Sequence, residues 1–273
     1  MQVIVNGQET ELISVHDRGF TYGDGVFETC LCVSGQIPLW QYHQERLTAS
    51  CHRLNIPAPD GELLFSQIKQ ALSTDIQQIV KIIITRGLGE RGYAYDATSK
   101  PSTVIIISDR IFKPAHFWQQ GVRVLRCKTP LAVQPALAGL KHLNRLEQIL
   151  ARNEWHTDDY QEGMMCRDDG MVIEATSHNL FAVKDGNLYT PDLSACGVDG
   201  IMRRYVIELA GKSGMSLYSQ DIRYDELFNM DELFLTNSVT GIWPVRQLES
   251  KTWPVGEISR QFQTQIARLI PYQ

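Results

Sequence analysis

The stretch "GMMCRDDGMVIEATSHNLFAVKDGNLYTP", residues 163–191, decides how the second half of the chain folds. Its short apolar runs are separated by Asp169-Gly170 and Asp185-Gly186. Asp-Gly pairs supply the positive-φ positions that two-residue hairpins require, so the stretch reads as an antiparallel set of strands. Glu174 alternates with Val172 and Thr176 on a strand that is buried on at least one side. A carboxylate in that place is costly unless a cation meets it. An arginine ion pair is the commoner partner, and a protonated pyridine nitrogen is another.

Upstream lies "LAGLKHLNRLEQILARNEW", residues 137–155. From Leu143 on, Leu143, Leu146, Ile149, Leu150 and Trp155 recur at near-helical spacing, opposite Arg145, Glu147, Gln148, Arg152 and Asn153. Lys141 stands at the mouth of this expected helix, a place where a lysine is ordinarily just solvated. Downstream, "GIMRRYVIELAGKSG" reads as a helix with Ile201, Tyr205, Leu209 and Ala210 inward. The strand "DELFLTNS", a loop to Pro244 and a last helix at about 256 to 270 complete this half.

The N-terminal half reads as α+β. "QVIVNGQETEL" carries an Asn6-Gly7 hairpin signal, and "VFETCLCVSGQIPLW" reads as a strand pair turned at Ser34-Gly35. Two helices follow, one with Trp40, Leu47, Cys51 and Leu54 on one side, the other capped by Asp60 with Leu64, Ile68 and Leu72 inward. The runs "IVKIIIT" and "STVIIIS" predict strands buried on both faces. "RIFKPAHFWQQG" lacks periodicity, so the expected division is a domain over 1–112, a linker over 113–120 and a second domain over 121–273.

The chain has 273 residues, 43% of them apolar, and a formal charge of -5. That charge leaves no basic footprint for nucleic acid. No apolar run approaches the length of a membrane span and the N-terminus has no basic flank, so the expectation is a cytoplasmic protein. Cys30, Cys32, Cys51, Cys127, Cys166 and Cys196 form no CxxC pair, which reads as buried free thiols with no metal site.

Chemistry with pyridoxal phosphate asks for an amine, an anion for the pyridine nitrogen, phosphate donors and a group that orients substrate. Lys141 could be the amine and Glu174 the anion. The N–H groups of Gly200, Ile201 and Met202 in "GVDGIMRR" form a helix-start anion site. Ser238 in "TNSVTGI" and the guanidinium of Arg46 in "HQERL" could add donors. "RGLGERGYAYD" reads as a hairpin that projects Arg91 and Tyr93 toward an anion. Asp17, Arg18 and Asp24 in "HDRGFTYGDGVFET" read as a hydrogen-bonded structural turn.

The segments "RGFTYGDGVFET", "HQERL", "TRGLGERGY", "GLKHLNRLEQILAR", "EATSHNLF", "CGVDGIMRR" and "LTNSVTGIWPV" occur in the order found in the fold-type IV pyridoxal-phosphate enzymes, which the chain resembles from about residue 4 to 246. The resemblance implies an N-terminal α/β sandwich, a C-terminal mixed barrel-like sheet with helices, cofactor between the two domains, and a homodimer. It implies pyridoxal 5'-phosphate as cofactor and Lys141 as its Schiff-base lysine. Arg46, Ile201, Met202 and Ser238 would then hold phosphate, and Glu174 would meet the pyridine nitrogen.

Within the group, "KHLNRLEQ", "GVDGIMR" and "RGY" at 91–93 look most like the aminodeoxychorismate lyases, which make 4-aminobenzoate and pyruvate for folate synthesis. That implies Lys141 as nucleophile, base and acid in turn, Thr29 as an aid to proton transfer, and Arg91 and Tyr93 on a substrate carboxylate. Glu28 is the departure: aminotransferases commonly carry it, where a lyase often has a hydroxyl residue. A D-amino-acid or branched-chain aminotransferase is the alternative the same resemblance allows.

Overall fold

The computed structural model describes residues 1–271. The chain folds as two compact units. The first gathers Met1–Ile111 with Leu140–Asn144, and the second gathers Phe112–Gly139 with the described chain from Arg145 onward.

The first unit contains β1 (Gln2–Val5), β2 (Gln8–Glu9), α1 (Arg18–Tyr22), β3 (Gly25–Cys32), α2 (Trp40–Arg53), α3 (Gly61–Ala71), β4 (Gln78–Thr85) and β5 (Ser102–Asp109). Its antiparallel sheet runs β2-β1-β5-β4-β3. Asn6 and Gly7 both take positive φ, 50° and 80°, as the hairpin signal requires. Asp60 caps α3 by accepting from Glu62 and Leu63 N–H groups. Leu47 and Cys51 of α2 and Leu64 and Ile68 of α3 pack with Val26, Cys30, Val80, Ile82, Ile84, Ile105 and Ile107.

Two expectations change here. Ser34-Gly35 does turn the chain, but only one bridge, Val33 to Gln36, follows it, and the antiparallel partner of β3 is β4. Nor are β4 and β5 buried on both faces: Ile79, Ile83 and Ile106 are half-buried and Lys81 is exposed. One helical layer serves this sheet, so the Ile-rich runs alternate after all.

The second unit contains α4 (His116–Gln119), β6 (Val122–Arg126), α5 (Leu146–Arg152), β7 (Glu162–Cys166), β8 (Val172–Ala175), β9 (Asn179–Lys184), β10 (Asn187–Pro191), α6 (Ile201–Lys212), β11 (Leu217–Gln220), a 3-10 turn (Tyr224–Asn229), β12 (Glu232–Asn237), β13 (Gly241–Leu248), β14 (Lys251–Thr252) and α7 (Glu257–Ile266). Strands β9, β12, β13, β6, β7 and β8 pair in that order, and β8 returns to β9, closing a six-stranded barrel. The β6 pairings to β13 and β7 are parallel and the other four antiparallel, so the sheet is mixed. Glu174 pairs with Asn179 at the closure. Closure leaves these strands without an exposed edge. Val124, Met164, Ala175, Leu180, Leu235 and Val245 belong to one core.

The segment 113–120, expected as a linker, contains α4, whose buried Trp118 donates to the Thr240 carbonyl at 2.6 Å. The loop expected up to Pro244 is instead β13, which carries Pro244 opposite Phe234 and shifts register between Val245 and Gln247. Proline is tolerated in a strand next to such an irregularity. The expected helix around Lys141 starts only at Leu146. Residues 141–143 run instead beside β3, with Phe27 N–H donating to the Lys141 carbonyl at 2.8 Å and Leu143 N–H to that of Gly25 at 3.0 Å. The helical spacing of leucines does not produce a buried face either, for Leu146 is 73% exposed and Ile149 and Leu150 are also exposed.

Candidate active site

In the first unit the site is built on β3. Side chains alternate across a strand, so Val26, Glu28 and Cys30 face the helices while Phe27 and Thr29 face the other way. Lys141 joins Phe27: its Nζ stands 4.4 Å from the ring centre. Thr29 is half-buried on the Phe27 face. The extended backbone at 141–143 thus places Lys141 beside Phe27, and Thr29 is two residues further along the same strand face.

Arg46 lies on α2, one helical turn after His43, and both reach back to Glu28. Arg46 Nε donates to Glu28 Oε1 and Nη2 to Oε2, each at 2.7 Å, and His43 Nδ1 lies 2.7 Å from Oε2. Glu28 is 1% exposed. Burial pushes its carboxyl up, but the Arg46 charge and the hydrogen bonds of His43 and Arg46 outweigh that and hold it at about 2. Cys30, on the same face, is pushed well up by burial and by the Glu28 charge. Glu28 and His43 were not foreseen as partners of Arg46; the signal was the i, i+3 pair His43 and Arg46 on one helix face.

Arg91 and Tyr93 lie in the connection between β4 and β5. Tyr93 is 88% exposed, its ring edge-on to Tyr22 at 5.8 Å. Arg18 holds this connection by donating to the carbonyls of Gly92 at 2.9 Å and Tyr93 at 3.2 Å. Arg18 and Arg86 both bond Asp24, and Asp17 accepts from Gly19 N–H, so this region is the structural turn its sequence suggests.

In the second unit Glu174 is buried at the barrel closure. Its Oε2 accepts from Val198 N–H at 2.9 Å, with Asn179 Nδ2 at 3.4 Å. Burial pulls the Arg145 guanidinium down from its usual value, and the nearby charges of Glu174 and Glu147 oppose that pull. Helix α6 starts at Gly200 without a side-chain cap, and Ile201 and Met202 at its first turn are buried. Its leading N–H groups therefore need an acceptor from elsewhere. A Cβ at Gly200 would overlap Asn179 Oδ1, so glycine keeps that turn tight. Ser238 lies in the β12–β13 turn, which Asn237 Oδ1 shapes by accepting from Val239 and Thr240 N–H groups. Within this unit a buried carboxylate and an uncapped helix start suit a group with a protonated ring nitrogen and a phosphate.

A second buried polar cluster escaped sequence reasoning. Glu162 lies 2.8 Å from His178 Nδ1 and accepts from the hydroxyls of Thr176 and Ser177. His178 Nε2 lies 2.9 Å from Thr240 Oγ1, and these residues border a cavity of about 560 Å³. Ser177 and Glu162 meet the same imidazole nitrogen, which is not the arrangement of a nucleophilic triad. Burial pushes the Glu162 carboxyl up, but His178 and the hydroxyls outweigh it and keep it below its usual value.

Residues 25–248 match the family model of amino-transferase class IV. An aminodeoxychorismate lyase of Vibrio harveyi is 39% identical over 266 residues, covering 95% of this chain and 97% of that protein. A D-alanine aminotransferase of Bacillus licheniformis is 29% identical, covering 92% and 90%. The crystal structure of 4-amino-4-deoxychorismate lyase from Pseudomonas aeruginosa superposes with a TM-score of 0.93 at 45% identity, covering 97% of this chain and 98% of the other.

Proposed function

Since the chain belongs to the amino-transferase class IV family, we propose that it is a pyridoxal 5'-phosphate-dependent lyase that converts 4-amino-4-deoxychorismate to 4-aminobenzoate and pyruvate in folate biosynthesis. The observation that carries this reading is likeness over nearly the whole length to lyases of that name, closer than to the D-alanine aminotransferase. The position of Lys141 over Phe27 supports it.

Pyridoxal phosphate, when bound, supplies an aldehyde that takes up amines and a ring that accepts an electron pair. Lys141 Nζ is the anchoring amine. With its amine free, Nζ would take the C4 proton of the substrate and become an ammonium. Lys141 Nζ then gives a proton to the enolpyruvyl methylene as the C–O bond breaks, pyruvate leaves, and the remaining ring becomes aromatic. Thr29 Oγ1 assists that transfer. Glu174, fixed by the Val198 N–H, would meet the pyridine nitrogen and favour its protonated form. Arg46, the Ile201 and Met202 N–H groups and Ser238 are the donors that would hold the phosphate, and Arg91 and Tyr93 would grip a substrate carboxylate.

We also infer a homodimer. Leu12, Val15, Phe20, Leu146, Ile149 and Leu150 are apolar and exposed, more than scattered surface residues require. The cytoplasm is the proposed setting, since all six cysteines are buried free thiols. Among the described residues no helix is long and apolar enough to cross a membrane.

The decisive assay is release of pyruvate from 4-amino-4-deoxychorismate with no 2-oxo acid present. Release matched by 4-aminobenzoate is expected. Silence there, with pyruvate formed from D-alanine plus an acceptor, would replace the lyase by an aminotransferase, the reading that Glu28 favours.

A further inference from the structure

Helix α6 is the crossover between β10 and β11, which lie parallel with Thr190 opposite Ser219. Arg203, in the first turn of that helix, is buried and bonds both members of the pair. Its Nε donates to Thr190 Oγ1 at 3.2 Å, and its Nη2 donates to Ser219 Oγ at 3.1 Å and to the Pro191 carbonyl at 3.2 Å. Its Nη1 donates to Asp199 Oδ1 at 2.9 Å. One planar guanidinium thus ties two strands to the residue just ahead of the helix cap, Gly200.

The charge of that turn runs against the helix. A helix dipole favours acidic residues at the start, yet the first turn of α6 holds Arg203 and Arg204 and no acidic residue. Two cations there are unfavourable until an anion rests on the helix start. The stretch that Arg203 anchors also serves the other groups of the site. Val198 N–H donates to Glu174 Oε2 at 2.9 Å, and the Val198 carbonyl accepts from Asn179 Nδ2 at 2.8 Å. Gly139, two residues before Lys141, donates to the Gly197 carbonyl at 2.9 Å and accepts from Asp199 N–H at 3.1 Å. Residues 197–202 therefore touch the carboxylate assigned to the ring nitrogen and the segment leading to the lysine, and they open the helix assigned to the phosphate.

We propose that Arg203 is a positioning residue for pyridoxal 5'-phosphate. It fixes residues 197–202 against β10 and β11, so that Glu174 and the N–H groups of Ile201 and Met202 keep the spacing that ring and phosphate require together. Arg203 acts through Asp199 and the helix start. The inference rests on the proposed placement of the ring nitrogen at Glu174 and of the phosphate at α6, and it is independent of which reaction the loaded enzyme performs.

The test titrates the full-length apoproteins of wild type, Arg203→Lys and Asp199→Asn with pyridoxal 5'-phosphate, followed by tryptophan fluorescence, and melts each apoprotein by circular dichroism. Arg203→Lys keeps the charge and loses the fork, since one ammonium cannot reach Asp199, Thr190, Pro191 and Ser219 together. Its affinity for the cofactor should fall about tenfold. Asp199→Asn leaves the strand contacts of Arg203 in place and removes its charged link to residues 197–202. Its affinity should fall about threefold, with the melting temperature of the apoprotein unchanged. The double variant should lie within about twofold of Arg203→Lys alone, because both changes break one link. Unchanged affinity in Asp199→Asn, or in a folded Arg203→Lys, overturns the proposal. A weaker affinity in Asp199→Asn that comes with a lower melting temperature overturns it too, since Arg203 would then serve the fold alone. Should Arg203→Lys fail to fold, Asp199→Asn decides the matter by itself. A wild type that releases no pyruvate from 4-amino-4-deoxychorismate, with these affinities as expected, removes the lyase reading and leaves Arg203 standing.

Discussion

Glu28 holds Arg46 in a two-pronged grip, both prongs at 2.7 Å, and His43 lies on the same carboxylate. This arrangement fixes the plane of the guanidinium, so the edge away from Glu28 is presented in one orientation. Glu28 is thereby given a physical task. Glu28→Gln keeps the shape and removes the charge. The expected result is about tenfold weaker retention of pyridoxal 5'-phosphate, with affinity for pyridoxal, which lacks the phosphate, unchanged. Equal losses for both would place the effect outside phosphate binding.

The same carboxylate predicts a pH dependence. Its folded value of about 2 lies below its ordinary 4.5. A depressed carboxyl stabilises the fold above its ordinary value and loses that contribution as pH falls from 4.5 toward 2. The contribution is on the order of 3 kcal/mol. Acid titration followed by tryptophan fluorescence should show wild type losing stability through that window, and Glu28→Gln, already less stable at neutral pH, losing less there.

Lys141→Ala should lower turnover by at least about a hundredfold. The fold should persist, because the Phe27 N–H ties the backbone of Lys141 to β3 in the variant as well. Steady-state pyruvate release with thermal melting by circular dichroism checks both halves. Substantial activity in a folded variant would remove Lys141 from the chemistry.

Much of the fold was legible in the sequence because its signals are local. Asn6-Gly7 and Asp185-Gly186 declare turns, and both take the positive φ that such turns need. Asp60 declares a helix start. What failed was inference from apolar spacing where tertiary context decides. The leucines at 143, 146 and 150 fit a helix, yet Leu143 runs beside β3 and the other two are exposed. The partnerships of Glu28 with Arg46 and of Glu162 with His178 span 18 and 16 residues, and a helix-face pair such as His43 and Arg46 does not say which distant carboxylate it meets.

The Glu162–His178 pair supports the barrel unit by satisfying buried polar groups together with Thr176, Ser177 and Thr240. Removing one member strands the others. Glu162→Ala should cost about 3 kcal/mol in urea unfolding. A cost below about 1 kcal/mol would mean that water replaces the carboxylate without penalty.

Two glycines on one helix give opposed expectations. At Gly200 a Cβ would overlap Asn179 Oδ1, and Asn179 also donates to the Val198 carbonyl at 2.8 Å beside Glu174. Gly200→Ala should therefore displace Asn179, cost about 1–3 kcal/mol, and weaken retention of pyridoxal 5'-phosphate. At Gly211 a Cβ would meet nothing within 4 Å, and its helical backbone suits alanine. Gly211→Ala should stabilise the protein by about 0.5–1 kcal/mol and leave cofactor retention untouched. Melting curves and cofactor titrations of the two variants separate a general effect of glycine in α6 from a specific one at its start. If both variants lose cofactor alike, the close approach at Gly200 has no bearing on the site.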